Sequence, residues 1–173
     1  MLPEHLNPAE PMFTFKDAVA LTQAAESTLE NWIEWKHLAP AKVGRRRMFS
    51  FEQLLKIDVM FVLAKNFRVE PNTGAHIAAV TVEEYLPKLD EDVADIRAGS
   101  SWHSPLTRDG WTYGLTRDDK TGELRATTRE DDQGSSVMIV VPVRVFSRRM
   151  LATMAGEQAT ITWGSAPAPE ASA

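Results

Sequence analysis

Residues 51–67, FEQLLKIDVMFVLAKNF, constrain this chain more than any other segment. Leu54, Leu55, Ile57, Val59, Met60, Phe61, Val62, Leu63 and Phe67 make the stretch apolar almost all round. A helix of that kind must be buried on more than one side. Ser50 just before it, with Gln53 three residues on, forms the pattern of a reciprocal cap that starts a helix. The segment is therefore expected to pack against its upstream neighbours on one face and against another element, or a second subunit, on the other.

What precedes it reads as two short helices. Phe15, Ala18, Val19 and Leu21–Thr22 fall at helical spacing, with Thr14 or Asp17 as the cap. A second helix begins near Glu26–Ser27, carries Leu29, Trp32, Ile33 and Trp35–Lys36 as its apolar stripe, and ends before Pro40. Only Gln23–Ala24–Ala25 separate the two, which predicts a helix-turn-helix unit. Ala41 to Ser50 (AKVGRRRMFS) predicts a short β-hairpin with Gly44 at or near its turn. Downstream of the apolar helix, Pro71–Asn72 opens a fourth helix over about 73–85, with Ile77, Val80 and Leu86 as the inner face.

Beyond a Gly/Ser/Pro-containing stretch (AGSSWHSP), the pattern changes. Residues 111–116 alternate as a half-buried strand does, 117–122 carry turn chemistry ending in Gly122, and 123–129 return. A second turn at 131–134 leads to the apolar strand 137–141. Pro142 then opens a helix with Val143, Phe146, Met150, Leu151 and Met154 on one side and Gly156 as its stop, and 160–163 read as one more strand. The expected fold class is α+β: a mainly helical N-terminal domain followed by a small strand-rich C-terminal region with one helix. The divisions are a flexible tail at 1–11, a domain at 12–98, a small α+β unit at 99–164 for oligomerisation or partner binding, and a disordered tail at 165–173.

Composition removes several classes of function. The 173 residues contain no cysteine, so disulfides, thiolate metal sites and a cysteine nucleophile are excluded. The histidines, His5, His37, His76 and His103, lack metal-ligand spacing, and neither metal nor cofactor is expected. The longest near-continuous apolar run, Val137 to Val143, contains Pro142, so no membrane span is expected. Glu4 and His5 at the start do not make a signal peptide, and a cytoplasmic protein is expected. The acidic pairs Asp118–Asp119 and Asp131–Asp132 lie in turn chemistry, and Ser100–Ser101 near His103 lacks a third partner. No catalytic residue is assigned.

The net charge of −5 hides a contrast. Residues 36–47 hold Lys36, Lys42, Arg45, Arg46 and Arg47 and no acid, while residues 83–95 hold Glu83, Glu84, Asp90, Glu91, Asp92 and Asp95 against Lys88 alone. A local basic cluster in an acidic chain can be an electrostatic footprint or simply a solvated loop, and what surrounds the run decides between them. Arg144, Arg148 and Arg149 form a second basic stripe, expected as a solvated face.

The stretch from Phe13 to Leu54 resembles the MerR-type winged helix-turn-helix and the related fold of phage excisionases. The resemblance is carried by Thr28–Leu29, Trp32, Leu38-Ala39-Pro40, the basic run Lys42 to Arg47, and Arg47-Met48-Phe49-Ser50. The excisionase-like variant also has a tryptophan where Trp32 stands and a Gly-Arg-Arg wing as in Gly44–Arg45–Arg46. Glu30 stands where MerR regulators usually carry arginine, and residues 87–110 hold no sustained heptad. The resemblance implies sequence-specific binding of double-stranded DNA by a bacterial or phage transcription regulator, cytoplasmic and nucleoid-associated. The recognition helix 26–36 would lie in the major groove and the wing 41–49 on the backbone or in the minor groove. Ser27, Thr28 and Asn31 are small polar residues suited to base edges, and asparagine pairs bidentately with adenine. Lys16, Lys36, Lys42, Arg45, Arg46 and Arg47 are the candidate phosphate contacts, with Trp32 as core or phosphate packing rather than a base stacker. The apolar helix motivates a homodimer, and the C-terminal region a protein partner. Two other readings stay open: an excisionase-like architectural or recombination accessory factor, and a protein-binding adaptor that has kept the fold without DNA contact.

Overall fold

Thr14 and Asp17 start the first helix together. In the computed structural model the Asp17 amide donates to Thr14 Oγ1 at 3.2 Å and the Thr14 amide donates to Asp17 Oδ2 at 2.8 Å, a complete capping box for α1 (Phe15–Leu21). The structure describes residue 2 and residues 5–100, 113–117, 124–127, 139–141 and 143–156. Four residues after α1, helix α2 (Glu26–Glu34) begins from Ala25, which offers no side-chain cap. It buries Leu29 and Trp32. Its end is a paired-bond C-cap: the Lys36 amide donates to Ile33 O at 3.1 Å and the His37 amide to Trp32 O at 2.8 Å. That geometry places Lys36 at φ +62°, a left-handed position usually given to glycine.

The hairpin forms as expected. Strand β1 (Phe13–Thr14) pairs with β3 (Arg46–Phe49), which pairs with β2 (Ala41–Val43), all antiparallel. Val43 faces Arg46 across a two-residue loop, and its first residue, Gly44, sits at φ +61°. Hairpin loops of this length call for glycine there. Ser50 and Gln53 then cap α3 (Phe51–Phe67) reciprocally, the Ser50 amide donating to Gln53 Oε1 at 3.1 Å and the Gln53 amide to Ser50 Oγ at 3.3 Å. Gln53 Nε2 also donates to Ala39 O at 2.9 Å, which ties α3 to the segment leaving α2.

Helix α3 is the axis of the core. Helices α4 (Pro71–Tyr85) and α6 (Val143–Ala155) both pack along it and bury most of its apolar circumference, leaving Phe61 half-buried and Phe67 exposed. Of the two partners expected for its second face, another element of the same chain is the one found, in α4 and α6. Helix α4 starts at Pro71 rather than 73, because proline at the first helical position has no amide to lose and a preset φ. Its inner face is Ile77, Ala78, Thr81, Val82 and Tyr85, whereas Val80 and Leu86 are only half-buried. Small residues at 78 and 81 let α4 lie close to α3. A 3-10 turn, Leu86–Lys88, leads into α5 (Leu89–Arg97), a helix within the acidic run. Asp90, Glu91 and Asp92 in its first turn suit the positive end of the helix dipole.

Residues near the N-terminus and helix α6 also join this core. Leu2 and Leu6 are 5% and 3% exposed, and the Glu52 amide donates to Pro8 O at 3.0 Å, so the expected loose tail is anchored there. Strands β4 (Tyr113–Arg117), β5 (Leu124–Thr127) and β6 (Ile139–Val141) form a second antiparallel sheet in the order β5–β4–β6. From α6, Phe146, Met150 and Leu151 enter the same buried cluster as Leu29, Leu54 and Ile77. The class is α+β. The turns around Gly122 and 131–134, the strand expected at 160–163 and the tail at 165–173 lie outside the described residues. Among the described residues no helix is long and apolar enough to cross a membrane.

Candidate nucleic-acid interface

The hairpin register decides which basic side chains meet. Lys42 stands directly opposite Arg47, and Arg45 is at the loop tip. Like charges facing each other across a pair of strands are destabilising. Because β3 also pairs with β1, Arg46 and Arg47 come beside the first turn of α1. Thr14, Phe15, Lys16, Arg46 and Arg47 line one shallow open depression. Lys16, Lys36, Lys42, Arg45, Arg46 and Arg47 are all exposed, and among the described residues none of them forms an ion pair. No described carboxylate relieves the repulsion between them, so an anion binding there gains both attraction and relief.

Helix α2 contributes a mixed surface. Ser27 and Asn31 are exposed and Thr28 is half-buried. Trp32 is only 4% exposed, which corrects its place among the DNA-contacting candidates: it packs in the core and has no face to offer a duplex. Trp35, three residues later, is 57% exposed and stands edge-on to His37 with ring centroids 6.2 Å apart. The difference arises because Trp35 is the residue that ends the helix and turns away from the stripe. Glu26, Glu30 and Glu34 are all exposed at four-residue spacing, an acidic row beside Ser27 and Asn31. Only Glu30 stood out from the family resemblance, although the spacing of all three was visible. This row repels phosphate, and in a groove its carboxylates accept hydrogen bonds from cytosine amino groups.

The second basic stripe is not a solvated face. Arg148 and Arg149 are buried, 3% and 7% exposed. Arg144 Nε donates to Asp92 Oδ1 at 2.8 Å, and Arg148 Nη1 donates to Asp92 Oδ1 at 3.1 Å and to Asp95 Oδ2 at 2.9 Å. Tyr85 Oη completes this cluster at 2.7 Å from Asp92 Oδ2 and 2.6 Å from Ser147 Oγ. Burial, reinforced by the neighbouring Asp92 charge, holds the Tyr85 phenol well above its ordinary range. Burial would lower the Arg144 guanidinium, but its hydrogen bond and charge pairing with Asp92 raise it above its usual value. Arg149 pairs with Asp58 on α3. Burial pushes the Asp58 carboxyl up to about 6, against the downward pull of Arg149 and of the Gln23 amide. The acidic run at 83–95 therefore supplies internal partners for α6 through Asp92 and Asp95.

Of the acidic pairs and the Ser/His candidate weighed from sequence, Asp118, Asp119, Asp131, Asp132, Ser101 and His103 lie outside the described residues. Among the described residues no group of three histidine or acidic side chains is placed to hold a metal ion. The chain matches no protein-family model and no curated protein.

Proposed function

We propose that this chain binds double-stranded DNA as a transcription regulator of the bacterial or phage kind, with its N-terminal part acting as a winged helix-turn-helix. In this reading α2 enters the major groove with Ser27, Thr28 and Asn31 toward the bases. The β2–β3 hairpin is the wing, and Lys42, Arg45, Arg46 and Arg47 meet the backbone or the minor groove. Lys16 grips an adjacent phosphate from the depression it shares with Arg46 and Arg47. Anchoring on phosphate at both flanks of an inserted helix sets register, and the base edges set sequence.

One observation carries the reading: among the described residues the exposed basic cluster of residues 36–47 has no carboxylate partner, while the arginines of α6 do. A salt titration of binding to mixed genomic DNA tests it. Three to five phosphate contacts give a log–log slope of roughly −0.9 per contact. The Arg45→Ala, Arg46→Ala, Arg47→Ala triple variant is expected to lose most of that slope. Absence of binding by the wild type at low salt, or unchanged affinity in the triple variant, overturns the reading. The row Glu26, Glu30 and Glu34 favours a second reading, a protein-binding adaptor, and those same negative outcomes would support it. Occupancy mapped across a genome separates a regulator, with focused promoter sites, from an excisionase-like factor clustered at one recombination locus.

A further inference from the structure

Helix α6 reaches the turn between α1 and α2 through one side chain. Arg149 Nη2 donates to the Leu21 carbonyl at 2.7 Å, and the same atom donates to Asp58 Oδ2. The other Asp58 oxygen, Oδ1, accepts the Gln23 amide at 2.9 Å. Leu21 is the last residue of α1, where a carbonyl has no partner along the helix. Gln23 lies two residues on, inside the four-residue turn. The backbone on both sides of Thr22 is thus clamped to a buried ion pair between α3 and α6.

This clamp matters because no side chain caps α2 at its start. Ala25 offers no side-chain cap, so the placement of the first turn of α2, where Ser27 and Thr28 stand, follows the placement of residues 22–25. The Asp92 cluster on the other side of α6 provides the contrast. Arg144, Arg148, Tyr85, Ser147 and Asp95 tie α4, α5 and α6 together around Asp92.

We infer that Arg149, acting through Asp58 and Leu21 O, is a positioning residue for the DNA-reading helix, so that α6 takes part in reading DNA without touching it. The inference rests on the DNA-binding reading for its functional half, and its structural half stands by itself.

The test uses the full chain and three variants: Arg149→Met, Arg149→Lys and Arg144→Met. Two quantities are measured at matched folded fraction: hydrogen exchange of the amides of residues 23–29, and affinity for duplex DNA with its salt slope. Arg149→Met is expected to speed exchange in the turn and the first turn of α2 about tenfold. It is expected to weaken DNA affinity by a similar factor while leaving the salt slope intact, because the hairpin cations are untouched. Arg144→Met is expected to lose stability with neither effect. Should Arg149→Met fail to fold, Arg149→Lys decides. Its ammonium ends one bond short of the position of Nη2, the single atom that makes both contacts, so faster exchange at Gln23 with the charge retained supports the clamp. Wild-type exchange at residues 23–29 in a folded Arg149 variant, or equal effects from Arg144→Met, overturns the inference. If the wild type binds no DNA, the DNA-binding reading falls, and the exchange arm still decides whether Arg149 positions the turn.

Discussion

Two sets of three arginines stand in this chain, and they do opposite things. Arg45, Arg46 and Arg47 are exposed on a hairpin with no acid within 36–47, and they form no ion pair among the described residues. Arg144, Arg148 and Arg149 sit on α6 against Asp92, Asp95 and Asp58. Charge density along the sequence is the same kind of signal in both places. What differs is the carboxylate that the fold delivers, from as far as 91 residues away in the case of Asp58 and Arg149. A basic run is a site for an outside anion only where the fold supplies no inside one.

The sharpest way to break this comparison is to delete one member of each set and follow stability. Arg149→Met leaves the Asp58 carboxylate buried without a cation and is expected to cost about 3–5 kcal/mol in urea unfolding at neutral pH. Arg46→Ala is expected to change stability by about 0.5 kcal/mol or less, since it removes an exposed charge with no ion-pair partner among the described residues. Equal costs at the two positions would erase the distinction.

The pH dependence sharpens it next. The Asp58 carboxyl titrates near 6 in the fold against an ordinary value of 3.8, because burial outweighs the pull of Arg149. The native state therefore holds this proton more tightly than the unfolded chain between those values. The contribution of Asp58 to stability is fully present below the lower value and is lost as pH rises through the higher one. The shift corresponds to about 3 kcal/mol. Asp58→Asn keeps an acceptor for Arg149 and does not titrate. Its stability relative to the wild type is expected to improve by about that amount from pH 4 to pH 7. A difference that stays flat across that window would show that the ion pair, not burial, dominates at Asp58.

How much of this could be read beforehand follows the range of each interaction. The Thr14/Asp17 and Ser50/Gln53 caps are three-residue relations, and the hairpin needs only Gly44 between two short strands, so all were legible. Helix α5 lies inside the mainly helical domain expected to residue 98, but no bounds were drawn for it, although Leu89, Val93 and Ile96 fall at helical spacing. The anchoring of Leu2 and Leu6 left no periodic trace, since two leucines make no pattern. Trp32 and Trp35 shared one stripe, and only the point at which α2 ends separates the buried ring from the exposed one. The exposed hairpin cations were legible as candidates, but the internal pairing of the α6 arginines was not, because it joins α6 to α3 and α5 across the fold.

Within the candidate interface the acidic row is the internal counter-example, and neutralising it measures how far it limits the basic strip. Glu30→Gln with Glu34→Gln removes two exposed negative charges from α2 while keeping length and shape. Affinity for mixed duplex DNA is expected to rise about fivefold to tenfold at low salt, with the gain shrinking as salt screens the repulsion. Unchanged affinity would place the row away from the phosphates and separate α2 from the wing as one binding surface.

The smallest effect isolates a single exposed cation from its backbone. Lys36 holds φ +62° at the end of α2, a conformation that costs an L-residue roughly 1–2 kcal/mol relative to glycine. Glycine itself brings greater freedom to the unfolded chain, worth about 0.5–1 kcal/mol in the opposite direction. The balance gives Lys36→Gly a stabilisation of about 0.5–1 kcal/mol by thermal unfolding. If Lys36 also meets a phosphate, the same variant weakens DNA binding and lowers the salt slope by about 0.9. A gain in stability together with a loss of binding would mean that this position keeps a strained backbone for the sake of its charge, as the buried arginines of α6 never need to. A gain in stability with binding unchanged would confine the basic interface to Lys16 and the hairpin.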